Sequence, residues 1–303
     1  MDLGMIGLGR MGANMAERLQ RGGHRVVGYD PGPAASADAA ARGIETVDAL
    51  PGLVAMLPAP RALWLMVPAG AAVDATLKTL RPLLAPGDAV IDGGNSHYGD
   101  SQRRAEALAG DSIGWLDVGT SGGVWGLEAG YSLTIGGDAA LAQRLAPLFA
   151  TLAPSPERGW GHVGPAGAGH FAKMVHNGIE YGLMQAFAEG FAILQRKREF
   201  DLDLAQVADI WRDASVIRSW LLDLAADSLR GNPGLEGIAP HVADSGEGRW
   251  TVAEAIALDV PAPVITQSLI ARLRSRDDDA FADRLLAALR DAFGGHGVQR
   301  ESP

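Results

Sequence analysis

The run Gly7-Leu-Gly9-Arg-Met-Gly12 constrains this chain more than any other stretch. It follows a short apolar segment, Leu3–Ile6, that reads as a strand, and it opens the helical pattern Arg10–Gln20. Glycines there allow a tight turn and let a pyrophosphate approach the helix N-terminus, where backbone N–H groups favour an anion. Alone the pattern is weak, since the glycines could serve only a turn, with Asp30 as a helix cap. The next apolar run, Arg25–Tyr29, ends at Asp30, 18 residues beyond Gly12. A dinucleotide-binding fold places its ribose-binding acid there. Gly7, Leu8, Gly9, Arg10, Met11 and Gly12 are therefore expected to hold a nicotinamide dinucleotide with Asp30. Val67 and Pro68, closing the expected strand Ala62–Val67, and Asn95 join them. A carboxylate at Asp30 accepts both ribose hydroxyls of NAD and would repel the 2′-phosphate of NADP. No basic residue follows it until Arg42, so NAD is favoured over NADP.

Beyond the first turn, short apolar runs alternate with helical patterns, which predicts a doubly wound α/β domain of Rossmann type. Expected strands include Ala89–Ile91, Trp115–Val118 and Ser132–Ile135; expected helices include Ala71–Leu83 and Ser101–Leu108. The character changes near Gly164. Gly169–Arg198 holds no proline and carries Phe171, Met174, Val175, Ile179, Leu183, Phe187 and Phe191 at helical spacing. Further helical patterns lie near Leu204–Trp211, Ser219–Ser228, Val264–Arg274 and Asp279–Phe293. The reading is a dinucleotide-binding domain over 1–164 and an all-helical substrate and oligomerisation domain over 165–303.

The chain has no cysteine, which removes thiolate chemistry and disulfides and fits a reducing cytoplasm. No apolar run reaches the roughly 20 residues of a membrane-spanning helix. The N-terminus shows no basic region and cleavage site ahead of the first strand, so a cytoplasmic location is expected. A net charge of −10 should repel nucleic acid and acidic membranes. An anionic substrate then needs a local cluster of cations. Lys78, Lys173 and Lys197 are the only lysines among 26 Lys plus Arg, so a lysine in a chemically suggestive place stands out.

Three segments fall where ligands bind in such folds, beyond the carboxyl ends of strands. They are Asp92-Gly-Gly-Asn95-Ser, Gly119-Thr-Ser121-Gly122-Gly123, and Lys173-Met-Val-His176-Asn177-Gly-Ile-Glu180-Tyr181. In the last, Lys173, His176 or Asn177, and Glu180 share one helical face. On spacing alone the face reads equally as a catalytic stripe or as surface charges beside a satisfied core histidine. No convincing cluster of metal ligands is present.

These segments resemble the 6-phosphogluconate dehydrogenases, and the resemblance runs along essentially the whole chain. It includes Ile91-Asp-Gly-Gly-Asn-Ser, the Ser121-Gly-Gly loop, Gly169-His-Phe-Ala-Lys-Met-Val-His-Asn-Gly-Ile-Glu-Tyr, Arg249-Trp-Thr, Ala271-Arg272 and the tail Arg290-Asp-Ala-Phe-Gly-Gly-His296. The helix segment is the most specific, because 3-hydroxyisobutyrate-type dehydrogenases usually lack its histidine and Glu-Tyr pair. The resemblance implies Lys173 as general base and Glu180 as general acid. It implies that Asn95, Ser121, Gly122, Gly123, His176 and Asn177 hold the carboxylate and hydroxyls of a sugar acid. Tyr181, Arg272 and Arg290 are then phosphate ligands, with His296 also reaching the substrate; Arg272 and Arg290 also read as ordinary exposed helix charges. The implied reaction is metal-independent oxidative decarboxylation of 6-phosphogluconate to ribulose 5-phosphate and CO2, with NAD reduced. The implied assembly is a homo-oligomer, dimer or tetramer, whose tail completes a neighbour's site.

Two departures stand out. Longer family members carry a second helical half that this chain omits, as in the short form. They also carry a phosphate-binding lysine at Ser245, and their Lys-Trp-Thr is Arg249-Trp-Thr here, with Arg249 a possible substitute. Chemically, arginine cannot act as the base because its pKa stays above about 12, whereas lysine can if burial and nearby positive charge lower its pKa. Two alternatives are another 3-hydroxyacid dehydrogenase for a small unphosphorylated substrate, and a catalytically silent NAD-binding sensor. The first would make Arg272, Arg290 and Glu180 dispensable; the second would be expected to lose the base or acid that this chain keeps.

Overall fold

In the computed structural model of the chain, which describes residues 1–294 and 299, the apolar runs of the first half become strands of one sheet. Its elements are β1 (Asp2–Ile6), α1 (Arg10–Arg21), β2 (Arg25–Tyr29), α2 (Pro33–Ala41), β3 (Glu45–Thr46), α3 (Leu50–Ala55), β4 (Ala62–Leu65) and α4 (Ala71–Leu80). There follow β5 (Ala89–Asp92), α5 (Tyr98–Ala109), β6 (Gly114–Ser121), α6 (Gly126–Ala129), β7 (Ser132–Gly137), α7 (Ala139–Leu152) and β8 (Trp160–Gly164). The strand order is β3-β2-β1-β4-β5-β6-β7-β8, parallel throughout except for the antiparallel pair β6 and β7.

Alternation along the central strands splits their side chains between two apolar layers. Leu3, Met5, Trp64 and Ile91 join α1 and α7 through Met15, Leu19, Leu148 and Phe149. Ile6, Leu63, Leu65 and Val90 join α3, α4 and α5 through Leu53, Val73, Leu80 and Leu108. The order reverses between β1 and β4, and the segments that the sequence marks as candidate ligand sites follow the carboxyl ends of β1, β4, β5 and β6.

The remaining helices are α8 (Ala168–Arg196), α9 (Leu204–Arg212), α10 (Trp220–Gly231), α11 (Glu247–Ala257), α12 (Pro263–Arg274) and α13 (Phe281–Gly294). The chain divides into two compact units, Met1–Gly178 and Ile179–Pro303. The sequence reading ends its first domain at Gly164, whereas the division falls inside α8. The reason is local: Asp117 of β6 accepts the backbone N–H groups of Gly167 and His170 at 2.7 and 2.9 Å, and the Thr134 hydroxyl of β7 donates to the Gly169 carbonyl at 3.0 Å. The first turns of α8 are thereby fastened to the sheet. In the second unit, Ala208, Leu222 and Ala226 pack with Phe187, Phe191 and Trp211 into a small core.

Several boundaries differ from the sequence reading. The strand expected over Ala62–Val67 ends at Leu65, though the Met66 N–H still donates to the Ile6 carbonyl at 2.7 Å. Strand β6 runs on to Ser121, so this residue ends a strand rather than sitting in a loop. The two-residue β3 and the glycine-rich β8 are too short or too bland to show a period. Helix α11, which contains Arg249-Trp-Thr, lacks a clear apolar stripe and was not expected.

Candidate active site

The turn after β1 is shaped for close approach. Gly7 has φ +95°, and a side chain there would strike the Met66 carbonyl; one at Gly12 would strike the Gly7 carbonyl. Among the described residues, nothing lies within 4 Å of where a Cβ on Gly9 would point, and no side chain caps α1 at Gly9. An open backbone cradle at an uncapped helix N-terminus fits a pyrophosphate. Asp30 accepts the Leu8 N–H through Oδ2 and the Gly32 N–H through Oδ1, each at 2.7 Å. These bonds fix the carboxylate at the end of β2. The Val67 carbonyl comes within 3.0 Å of where a Cβ on Gly94 would stand, so the turns after β4 and β5 lie side by side. Pro68 is exposed beyond the half-buried Val67.

The Asp92-Gly-Gly-Asn95-Ser turn is held from beneath. Asp92 is fully buried and accepts the Ser96 hydroxyl at 2.7 Å and the Gly94 N–H at 3.1 Å. Arg104, only 1% exposed, lies 3.5 Å from Asp92 and is anchored to Asp74 at 2.9 Å and the Gly70 carbonyl at 3.1 Å. Asn95 is left exposed at the tip. Asp92 and Arg104 were missed as positioning groups, although a carboxylate ending the apolar run Ala89-Val-Ile is a readable signal.

Lys173 Nζ donates to Ser121 Oγ at 2.6 Å, joining α8 to the last residue of β6. Gly119, between Asp117 and Ser121, must lack a side chain because Lys173 Cβ and the Gly169 carbonyl occupy that space. Gly122 has φ +139°, and the Tyr131 ring lies beneath it, 3.0 Å from where a Cβ would stand. Burial pushes the Tyr131 hydroxyl up to about 12, against the opposing charges of Arg18 and Arg42, so it stays neutral. Gly123 is exposed where the chain turns. Arg18 of α1 donates to the carbonyls of Leu127, Thr151, Leu152 and Ala153 at 2.7–3.1 Å, tying the segment after the Ser121-Gly-Gly turn to the cofactor helix.

His176 is exposed and lies 3.1 Å from the Asn177 side chain, which is buried. The core histidine of this helix is another one, His170, whose Nδ1 meets the Ser101 hydroxyl at 2.7 Å while its Nε2 is buried with no hydrogen-bond partner among the described residues. Further along the same helix, Glu180 and Tyr181 fall within the second unit, just after its first residue Ile179. Within that unit the Arg272 guanidinium lies 3.4 Å over the Tyr181 ring, and the Tyr181 hydroxyl reaches Asp244 and Ser245 at 3.5 and 3.4 Å. Gly248 leaves room for the ring edge. Burial pushes the Asp244 carboxyl up, but hydrogen bonds from Arg249 and the Gly246 N–H, with the charges of Arg249 and Arg276, outweigh it and hold it below the usual range. Arg290 is exposed on α13, while His296 lies outside the described residues.

A dinucleotide cradle joined to an amine held on a strand-end hydroxyl defines a dehydrogenase of the Rossmann type. Comparison with known proteins narrows this. The NAD binding domain of 6-phosphogluconate dehydrogenase matches residues 2–162, and the 6-phosphogluconate dehydrogenase C-terminal domain matches residues 169–284. An NAD(+)-dependent, decarboxylating 6-phosphogluconate dehydrogenase of Haloferax volcanii is 49% identical over 302 residues, covering 99% of each chain. The 6-phosphogluconate dehydrogenase of Plasmodium falciparum, studied with NADP+ and with 6-phosphogluconate, superposes with a TM-score of 0.85 at 26% identity, over 99% of this chain and 66% of that one. A Mycobacterium tuberculosis 3-hydroxyisobutyrate dehydrogenase gives a TM-score of 0.74 at 25% identity, over 92% and 94%. The chain belongs to the 6-phosphogluconate dehydrogenase family.

Proposed function

We propose that this protein oxidises and decarboxylates 6-phosphogluconate to ribulose 5-phosphate and CO2, reducing NAD. The Lys173–Ser121 contact at 2.6 Å carries the reading, because it sets the chain's candidate base on the strand end beside the cofactor turns. A dinucleotide whose pyrophosphate is held at Gly7–Gly12 would supply, through its nicotinamide, the acceptor for the hydride leaving C3. Lys173 takes the proton of the C3 hydroxyl, with Ser121 orienting the amine. The protonated amine then donates to the new C3 ketone, which accepts the electron pair as the C1–C2 bond of the acid breaks and CO2 departs. Glu180, seven residues along α8, returns a proton to the carbon that lost CO2, converting the enediol to the ketose. The ketone and amine form a sufficient electron sink, so the scheme needs no metal. Asn95, Ser121, Gly122, Gly123, His176 and Asn177 hold the sugar acid, while Tyr181, Arg272 and Arg290 hold its phosphate and His296 also reaches the substrate.

Preference for NAD is supported by Asp30 and by Arg42, the next basic residue, which donates to Glu17 and Asn14 at 2.7 and 2.8 Å. A homo-oligomer with shared sites is supported by α13, which presents Phe281, Leu285, Leu286 and Leu289 to solvent beside the exposed Arg290. We place the protein in the cytoplasm, consistent with the absence of cysteine; no helix among the described residues is long and apolar enough to cross a membrane. The deciding assay follows NAD reduction and CO2 release with 6-phosphogluconate, with NADP, with a chelator, and with small 3-hydroxyacids. Faster turnover of an unphosphorylated 3-hydroxyacid would favour the alternative suggested by the 3-hydroxyisobutyrate dehydrogenase likeness.

A further inference from the structure

A phosphorylated substrate brings a dianion to a chain of net charge −10, so a local cluster of cations must hold it. Ser245 stands where longer family members carry a phosphate-binding lysine, and its hydroxyl donates to Glu247. Three guanidinium groups nevertheless gather around the Tyr181 hydroxyl within the second unit. Arg272 stacks on the Tyr181 ring; Arg249 Nε donates to Asp244 Oδ2 at 2.5 Å; an Arg276 terminal nitrogen reaches the same oxygen at 3.5 Å. Asp244 is 3% exposed on its side chain, and Glu247 is also buried. Three cations thus face two carboxylates, leaving a net positive charge beside a tyrosine hydroxyl.

Arg276 is the unexpected member. It follows the end of α12, four residues after Arg272, and no sequence motif singled it out. Its contact with Asp244 is long, and its Nε is buried with no hydrogen-bond partner among the described residues. A buried donor without an acceptor is costly to keep. A guanidinium also offers its donors as a planar fork that matches two oxygens of a phosphate. A plain helix-end charge would need neither burial nor this neighbourhood.

We infer that Arg276, together with Arg249, supplies the cations that the missing lysine would otherwise provide, making Arg276 a specificity-determining residue for the phosphate of the substrate. The inference rests on the reading above that the substrate is phosphorylated. Asp244 holds both guanidinium groups in position, and the Arg276 fork turns from this single weak partner to the phosphate oxygens.

The test is steady-state kinetics of the full-length parent, Arg276→Ala, Arg276→Gln and Arg276→Lys with 6-phosphogluconate and NAD, alongside melting temperatures. Loss of a charge-assisted contact should raise KM for 6-phosphogluconate about 10- to 100-fold in the alanine and glutamine variants. Turnover number should stay within about threefold and melting temperature within about 2 °C of the parent, a change smaller than ~1 kcal/mol would produce. The lysine variant should give an intermediate KM. An active parent with an unchanged KM in the glutamine variant would overturn the assignment. So would equal losses in turnover and melting temperature across all three, which mark a purely structural role. A parent that does not reduce NAD with 6-phosphogluconate defeats the proposed function itself, and the role of Arg276 falls with it.

Discussion

Asp117, buried in β6, accepts the backbone N–H of His170 at 2.9 Å, three residues before Lys173 on α8. The same strand supplies Ser121, the hydroxyl that meets the Lys173 amine at 2.6 Å. One strand therefore fixes both the start of the helix and the tip of its lysine. Asp117→Ala should remove the cap and leave the buried N–H groups of Gly167 and His170 without their acceptor, costing about 2 kcal/mol of stability. The amine should shift enough to slow turnover about tenfold, with KM for NAD little changed. Thermal unfolding and initial rates check both parts, and unchanged turnover in a destabilised variant would separate the cap from catalysis.

Lys173→Met should abolish oxidation, since methionine cannot take the C3 proton. Glu180→Gln should keep substrate affinity while slowing turnover about 10²- to 10⁴-fold, the usual range for a lost general acid. Rapid-mixing measurements would show NADH formed in the glutamine variant before ribulose 5-phosphate appears. Near-normal overall turnover would remove Glu180 from the scheme.

Asp30→Ala should weaken NAD binding and narrow its advantage over NADP. The carboxylate is lost as a ribose acceptor and as a source of repulsion toward a 2′-phosphate. The loss also releases the Leu8 and Gly32 N–H groups, so part of the effect should appear as a looser turn. Michaelis constants for both cofactors decide it; a parent that prefers NADP contradicts the reading.

Mixing inactive Lys173→Ala and Arg290→Ala subunits under exchange should restore activity if the tail crosses to a partner. Random pairing makes about half the dimers mixed, and each mixed dimer holds one intact site, so roughly a quarter of all sites recover. A tail that folds onto its own subunit restores none, despite exchange proven by differently tagged chains.

Asp244 provides a test by pH. Its native pKa lies below the ordinary value, because hydrogen bonds from Arg249 and Gly246 outweigh the upward push of burial. A depressed carboxyl stabilises the fold above the unfolded value near ~3.9 and loses that contribution as pH falls through the native value. The melting temperature of Asp244→Asn should therefore lie below the parent at pH 6, and the gap should close toward pH 3. A gap independent of pH would mean that the carboxylate charge contributes nothing.

Much of the cofactor half was legible because its signals are local. The glycine turn before Arg10 needs particular backbone angles, Asp30 closes a strand at a fixed distance along the chain, and the apolar runs reveal strands buried on both faces. Lys173, His176, Asn177 and Glu180 announced a stripe because helical spacing is itself a sequence property, and the family resemblance assigned their roles. Tertiary structure decided what depends on residues far apart in the chain. It showed that the exposed histidine is His176 while His170 is the core one, since that depends on whether Ser101 lies against the ring. It showed that Asp92 and Arg104 hold the Asn95 turn, and that Asp117 caps the start of α8. It also gathered Arg249, Arg272 and Arg276 around Tyr181, an arrangement no spacing could reveal. Periodicity records which face a residue occupies, whereas burial, charge pairing and the fate of a single N–H are settled only by what the folded chain brings beside it.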